Sequence, residues 1–274
     1  MACSHRSPSG RGAQACPAVI DPQEISRYWD VRAPSYSNGV RDEMAGFERR
    51  AWTQLLSERL ASLGNPSDLR VLDLGCGPGF FSILLARQGC RVDAVDASEG
   101  MLGQAHANAV RAGVENEITF HKGDIKLTCF NDDSFDAIVS RNVTWLLDEP
   151  LQAYGEWHRL LVPGGKMIAF DANWYRYLID AETDRKRTAD QRDSSVLEWS
   201  ADAVATSVEE RACEQIALRL PLTYELRPSW DAAVLTDLGY SSVLTDESVW
   251  RRVWSRGEQL FYASSPLFMI EAVK

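Results

Sequence analysis

The residues of this sequence that could do chemistry together gather at the ends of apolar runs. Val71-Leu72-Asp73-Leu74 leads into the glycine-rich turn Gly75-Cys76-Gly77-Pro78-Gly79. Such a turn lets a ligand approach the backbone closely, and a helix that follows it offers unpaired N–H groups. The glycines fall as G-x-G-x-G, not in the G-x-G-x-x-G spacing of the dinucleotide fingerprint. The carboxylate of Asp73, just before the turn, would repel a pyrophosphate but suits an ammonium or sulfonium. Asp96 stands 21 residues after Gly75, at the end of the next apolar run, where an acid can accept both hydroxyls of an adenosine ribose. Asp124, within Gly123-Asp124-Ile125, can accept the exocyclic amine of adenine. Ser140-Arg141-Asn142 closes a further run, beside the glycine turn in a doubly wound sheet. The pattern expects a positively charged nucleoside held along one rim.

Candidates for work on an acceptor are sparser. Asp171, Asn173, Trp174 and Tyr175 follow a fifth apolar run; the acceptor is expected to be readily nucleophilic, such as an amine or thiol, or to be deprotonated by Asp171 or Tyr175 as the candidate base. The histidines, His5, His106, His121 and His158, do not fall at the rim. The six cysteines form no C-x-x-C pair and no Cys/His cluster of zinc spacing, so reduced thiols and no metal are expected. Cys76 reads as a small packing residue.

The elements that must position these residues alternate regularly. Strands are expected at Arg70–Leu74, Arg91–Val95, Ile118–His121, Ala137–Ser140 and Lys166–Phe170. Helices are expected from Phe80 to Gln88, from a Ser98 cap to Ala112, and from Pro150 to Leu161, where Pro163-Gly164-Gly165 turns the chain. The β-α rhythm with continuously apolar strands signals a buried parallel sheet in an α/β fold. Upstream, Phe47 to Leu63 shows helical spacing, and Tyr28–Ser37 mixes aromatics with Arg before a turn at Pro34. Between Trp174 and Pro221 the rhythm breaks into a polar, helical stretch, strongest over Ala201–Arg219. A helix near Ser229–Leu238 and strands near Ser242–Leu244 and Pro266–Lys274 complete the chain.

With 274 residues, 45% hydrophobic and 25% charged, the chain can bury a sizeable core. Its net charge of −10 argues against a duplex nucleic-acid binder. The longest clean apolar stretch, Phe80 to Ala86, is too short to span a bilayer, and no apolar h-region follows the first arginines. A cytoplasmic protein acting on a small molecule is expected, without membrane insertion. A homodimer is compatible with the sequence.

Several runs together resemble the class I S-adenosylmethionine-dependent methyltransferases. DLGCGPG is similar to that family's glycine motif, VDAS with Met101 to its second-strand motif, GDI to its adenine-contact motif, and LLVPGGKMIAFD to the signature that follows its fourth strand. The opening YWDVRAPSY resembles the N-terminal motif of the ubiquinone/menaquinone-type small-molecule branch, in which an aromatic, basic segment folds over the cofactor. The resemblance implies a seven-stranded, mostly parallel sheet of order 3-2-1-4-5-7-6, with the seventh strand antiparallel and a helical cap after strand 5. It implies S-adenosylmethionine as cofactor and S-adenosylhomocysteine as product. Tyr28, Trp29, Arg32, Tyr36, Asp73, Gly75, Cys76, Gly77, Gly79, Asp96, Ala97, Met101, Asp124, Ile125, Arg141 and Asn142 are the residues it places at that cofactor.

The expected division is a disordered leader at 1–20, a helical segment over the cofactor at 21–66, a Rossmann-like core at 67–173, a cap for the acceptor at 174–222, and the end of the core at 223–274. The expected reaction is methyl transfer to nitrogen, sulfur or oxygen of a small organic acceptor by in-line displacement. A nicotinamide-dependent oxidoreductase and a non-catalytic cofactor-binding module are the alternatives.

Overall fold

The computed structural model describes residues 20–195 and 206–274. One sheet contains β1 (Arg70–Leu74), β2 (Arg91–Asp96), β3 (Ile118–Lys122), β4 (Phe135–Arg141), β5 (Leu161–Asp171), β6 (Ser242–Asp246) and β7 (Phe268–Val273). Its order is β3-β2-β1-β4-β5-β7-β6. β7 runs antiparallel to both β5 and β6, and the remaining pairs are parallel. This is the doubly wound, seven-stranded α/β sheet that the resemblance implies.

The strands read as continuous apolar runs because helices cover both faces. Val71, Val92, Ala137 and Ile168 point into one core with α2 (Glu48–Leu60) and α3 (Phe80–Arg87). Leu72, Leu74, Ile138 and Met167 point into the other, with α5 (Pro150–Leu160) and α8 (Ser229–Asp237). α4 (Glu99–Ala112) starts at Ser98, whose hydroxyl accepts from the Met101 N–H at 3.0 Å, and stops at Gly113 in the left-handed conformation.

Three features depart from the sequence expectation. Pro34 makes no turn: it lies inside α1, a continuous helix from Pro22 to Ala45. A mid-helix proline loses one backbone hydrogen bond. Packing offsets that loss, because Ala33, Ser37 and Val40 are buried and α1 lies close along α4. The crossing is tight enough that a Cβ on Gly100 would stand 3.0 Å from the Asp30 carbonyl oxygen. Second, β5 begins at Leu161, directly out of α5. The expected turn at Pro163-Gly164-Gly165 is absorbed as a bulge, seen as a register shift opposite Phe135 and Ala137. Third, two short helices, α9 (Trp250–Val253) and α10 (Arg256–Phe261), separate β6 from β7.

The 174–222 segment carries α6 (Ala181–Ser195) and α7 (Ser207–Ala217), so α7 forms within the expected Ala201–Arg219 stretch; residues 201–205 lie outside the described ones. α7 is fixed by a capping box between Thr206 and Glu209. Its Cys213, Ile216 and Ala217 pack with Ile20, Trp145 and Leu220 as a third small core. The expected leader falls on residues 1–19, outside the described ones, and on Ile20, which is buried in that core.

Candidate active site

The glycine bend joins β1 to α3. Gly75, Gly77 and Gly79 have φ values of +69°, +51° and +87°. At Gly75 a side chain is excluded twice over, since a Cβ would also meet Val143 Cγ2 at 2.5 Å. The bend is folded onto the end of β2: the Gly75 and Cys76 N–H groups donate to the Val95 carbonyl at 2.8 and 3.0 Å. Gly77 differs, because a Cβ there would project into open space, and the residue lines a cavity.

Three strand ends deliver carboxylates to that cavity. Asp73, at the end of β1, is 2% exposed, and Ser82 Oγ donates to it at 2.5 Å. Burial, with Asp96 as a like-charged neighbour, pushes its carboxyl up to about 7. Asp96, at the end of β2, accepts from the Gly77 N–H at 2.9 Å and the Ser98 N–H at 2.8 Å, each on a different oxygen. Burial raises it to about 6 despite those hydrogen bonds. Asp124, beyond β3, accepts from the Lys126 N–H at 2.8 Å. The Lys126 ammonium is held by Asp148 at 2.8 Å and Glu149 at 3.0 Å.

The opposite wall comes from α1 and from the loop after β4. α1 contributes Trp29, Tyr36 and Val40, and the loop contributes Arg141, Asn142, Val143, Leu146 and Leu147. Asn142 sits at φ +58°, a left-handed conformation that asparagine tolerates. The cavity volume is about 380 Å³, within the range of small-ligand sites.

The donor set fits an adenosine-type sulfonium. Trp29 Nε1 and Asn142 Oδ1 are buried without a protein partner, and both residues line the cavity. An orphan donor, an orphan acceptor, several carboxylates and an open glycine cradle are what a polar, positively charged nucleoside would complete.

Of the residues singled out in the sequence, Trp29, Tyr36, Asp73, Gly75, Cys76, Gly77, Asp96, Ala97, Met101, Asp124, Ile125, Arg141 and Asn142 all line this cavity. Five do not. Gly79 caps α3 and packs against Ala105. Tyr28 belongs to the small core under the cap, where burial raises its hydroxyl. Arg32 pairs with Glu209 at 3.3 Å. The Tyr175 hydroxyl donates to Cys213 Sγ at 3.0 Å, and burial pushes its pKa well above the ordinary tyrosine value, opposite to what a base needs.

Asp171 is fully buried and its oxygens are taken. It accepts from the Trp145 N–H at 2.8 Å, the Ala172 N–H at 2.8 Å and Trp174 Nε1 at 2.7 Å. The Thr144 hydroxyl also donates to it, and Arg227 Nη1 lies 3.3 Å away. Asp171 therefore ties the loop after β4 to β5 and lies behind the wall, with no acceptor capacity left for a substrate proton. The space beside it, between Trp145, Asn173, Tyr175 and Leu222, amounts to about 10 Å³, room for little more than one water.

Sequence reasoning missed Asp30, Lys126 and Arg227, and read Ser98 only as a helix cap. Asp30 accepts from Ser98 Oγ at 2.7 Å and from the Gly100 N–H at 2.9 Å, locking α1 onto α4. It stands inside YWDVRAPSY, but nothing in one strand of text shows that the helix lies against Ser98. Among the described residues no group of His, Cys, Asp and Glu could hold a metal ion, and no helix is long and apolar enough to cross a membrane.

Comparison with known proteins agrees with this geometry. Residues 72–169 match the family model described as "Methyltransferase domain". The biotin biosynthesis bifunctional protein BioHC of Teredinibacter turnerae is 30% identical over 190 residues, 60% of this chain and 33% of that protein. The ubiquinone biosynthesis O-methyltransferase of Ruegeria pomeroyi is 29% identical over 178 residues, 58% of this chain and 67% of that protein. The match spans less than two thirds of several other relatives, down to 30% of a sterol 24-C-methyltransferase from Neurospora crassa. Among solved structures, phosphoethanolamine N-methyltransferase 2 of Haemonchus contortus, in complex with S-adenosylhomocysteine, shares the fold with a TM-score of 0.59. It is 16% identical, and the likeness covers 91% of this chain and 60% of that one.

Proposed function

We propose that this chain, whose fold and central domain are those of the class I S-adenosylmethionine-dependent methyltransferases, moves a methyl group from S-adenosylmethionine to a small organic acceptor. The observation that carries this reading is the convergence of Asp73, Asp96, Asp124 and the open Gly77 on one cavity at the sheet edge. Bound there, the donor supplies a methyl group already activated on a sulfonium for in-line displacement.

The chain's own share is to bind, orient and exclude water. Asp96 takes the ribose hydroxyls, each of its oxygens keeping a lone pair beside the backbone bond it already accepts. Asp124 and Ile125 take the adenine edge. Asp73, buried and close to the bend, favours the positive charge. Trp29 and Asn142 offer their unpartnered polar atoms to the amino-acid end. α1 covers the whole from above. Asp171 acts as a positioning residue, holding Thr144 and Trp145 so that the Asn142–Leu147 loop keeps its shape.

Incubation with methyl-labelled S-adenosylmethionine and a small-molecule extract tests this. Label should pass into a small product, and Asp96→Asn should slow the transfer at subsaturating donor by about 10–100-fold. Label retained entirely in the donor, together with no heat on titration with S-adenosylhomocysteine, would remove the proposal.

A further inference from the structure

The cavity has two chemically different sides. Asp96 and Asp124, from the ends of β2 and β3, lie on one side of β1. Arg141, at the end of β4, lies on the other, with Tyr36, Val40, Phe80 and Phe81. The lysines of the first side are already paired, Lys126 with Asp148 and Glu149, and Lys122 with Glu99 at 2.9 Å.

Arg141 is placed with unusual care. Its guanidinium lies 4.6 Å from the Phe80 ring centroid, 5.0 Å from Trp52 and 5.9 Å from Phe81. Nη2 pairs with Glu43 Oε2 at 2.7 Å, and the Arg141 side chain is 16% exposed. Among the described residues Glu43 is its ion-pair partner, and none of its nitrogens is a buried orphan. Arg141 lines the cavity, and no hydrogen bond from its remaining N–H groups to another described residue competes for them.

A cation on this wall repels the sulfonium of the donor; Asp73, close enough for Arg141 to draw its carboxyl down, offsets part of that repulsion, and an anion on the guanidinium would offset more. Glu43 meets one nitrogen of the guanidinium and does not line the cavity, so it does not occupy the whole guanidinium edge. The rigid fork of an arginine matches a carboxylate or phosphate with two parallel hydrogen bonds, which a lysine cannot reproduce.

We infer that Arg141 selects acceptors that carry an anionic group, a carboxylate or phosphate, seated on the guanidinium edge that Glu43 leaves free. This rests on the methyl-transfer reading and names the substrate class for it. The anion so held belongs to the acceptor; the carboxylate of the donor's own amino-acid end is the competing source.

The test separates these outcomes. A small-molecule extract is split on an anion exchanger, and each fraction is assayed for uptake of labelled methyl by the full chain. Uptake is expected from the retained, anionic fraction. Uptake from the unretained fraction alone, or from neither, overturns the inference. Arg141→Gln should raise KM for the active fraction at least tenfold while kcat falls less than threefold, and Arg141→Lys should recover part of the loss. On the same variants, calorimetry with S-adenosylhomocysteine and with 5′-methylthioadenosine, which lacks the amino-acid end, reports both folding and the donor site. Both affinities should stay within threefold of wild type. A tenfold loss for S-adenosylhomocysteine alone assigns Arg141 to the donor carboxylate and overturns the inference. Failure of the wild-type chain to bind S-adenosylhomocysteine at all sinks the methyl-transfer reading itself, and this inference with it.

Discussion

Asp73 and Asp96 are carboxylic acids whose protons are held more tightly in the fold than in the unfolded chain, at about 7 and about 6 against an ordinary 3.8. The folded state therefore binds more protons than the unfolded state between those limits, and stability falls as pH rises through them. The stabilising share of each group is complete below about pH 4 and is lost by about pH 6 for Asp96 and about pH 7 for Asp73. Asp73→Asn should therefore raise the melting temperature of the free protein most near pH 7.5, with the gain shrinking towards pH 4.5. Calorimetric melts of both proteins across that range check it, and a gain independent of pH would contradict it. A bound sulfonium would reverse the preference, since it favours the ionised acids. Affinity for S-adenosylmethionine should increase between pH 5.5 and 8, and Asp73→Asn should flatten the upper part of that rise. The placement of Asp73, Asp96 and the glycine bend at one sheet edge is legible in the sequence because it depends on chain order within single β-α units. Arg227 is not legible, because its partners Asp171 and Asp231 meet it only after the cap has been traversed.

Among the elements, the loop after β4 and helix α1 decide the shape of the cavity. The loop is pinned by Asp171, which with Arg227, Asp231, Thr144 and the Tyr154 hydroxyl forms a fully buried network. Removing one member of such a network strands the others in a low-dielectric interior. Asp171→Ala should cost about 3–5 kcal/mol in chemical denaturation, and Asp171→Asn less. A loss below 1 kcal/mol would show that the network does not hold the loop. α1 hangs on Asp30, which binds Ser98 and Gly100, on the Ser37 hydroxyl that accepts from Asn108 at 3.1 Å, and on the pairing of Arg219 Nη1 with Glu24 at 2.9 Å. Asp30→Ala loosens the cover without opening the sheet core, so S-adenosylhomocysteine affinity should fall about tenfold, the worth of hydrogen bonds to a charged group. An unchanged affinity would mean that α1 is a bystander. The sequence shows aromatics and an arginine in α1, but Pro34 reads there as a turn. The local rule yields to packing on α4, which no local pattern displays.

At the scale of the molecule, the apolar runs and the glycine punctuation make the sheet readable, since a strand buried on both faces leaves no other pattern. The position of the cap was harder to read: its polar text announces a helix but not that α7 would pack on Trp145 and Ile20. That packing fills the space beneath the cap and leaves the substantial cavity between α1 and the sheet edge. α1 forms one wall of this cavity, so a bound ligand packs against it. Hydrogen exchange in α1 and in the Asn142–Leu147 loop should therefore slow on S-adenosylhomocysteine binding, while β4 and β5, already protected, change little. Equal slowing everywhere would point to general stabilisation instead.

The central claim is that this cavity holds a sulfonium nucleoside, and calorimetric titration of the full chain with S-adenosylhomocysteine addresses it most directly. The account predicts one site per chain, no heat from NADH, and a loss of about 10–100-fold for Asp96→Asn, the worth of hydrogen bonds to a charged carboxylate. Binding of NADH with no response to S-adenosylhomocysteine, or S-adenosylhomocysteine binding indifferent to Asp96→Asn, would contradict it.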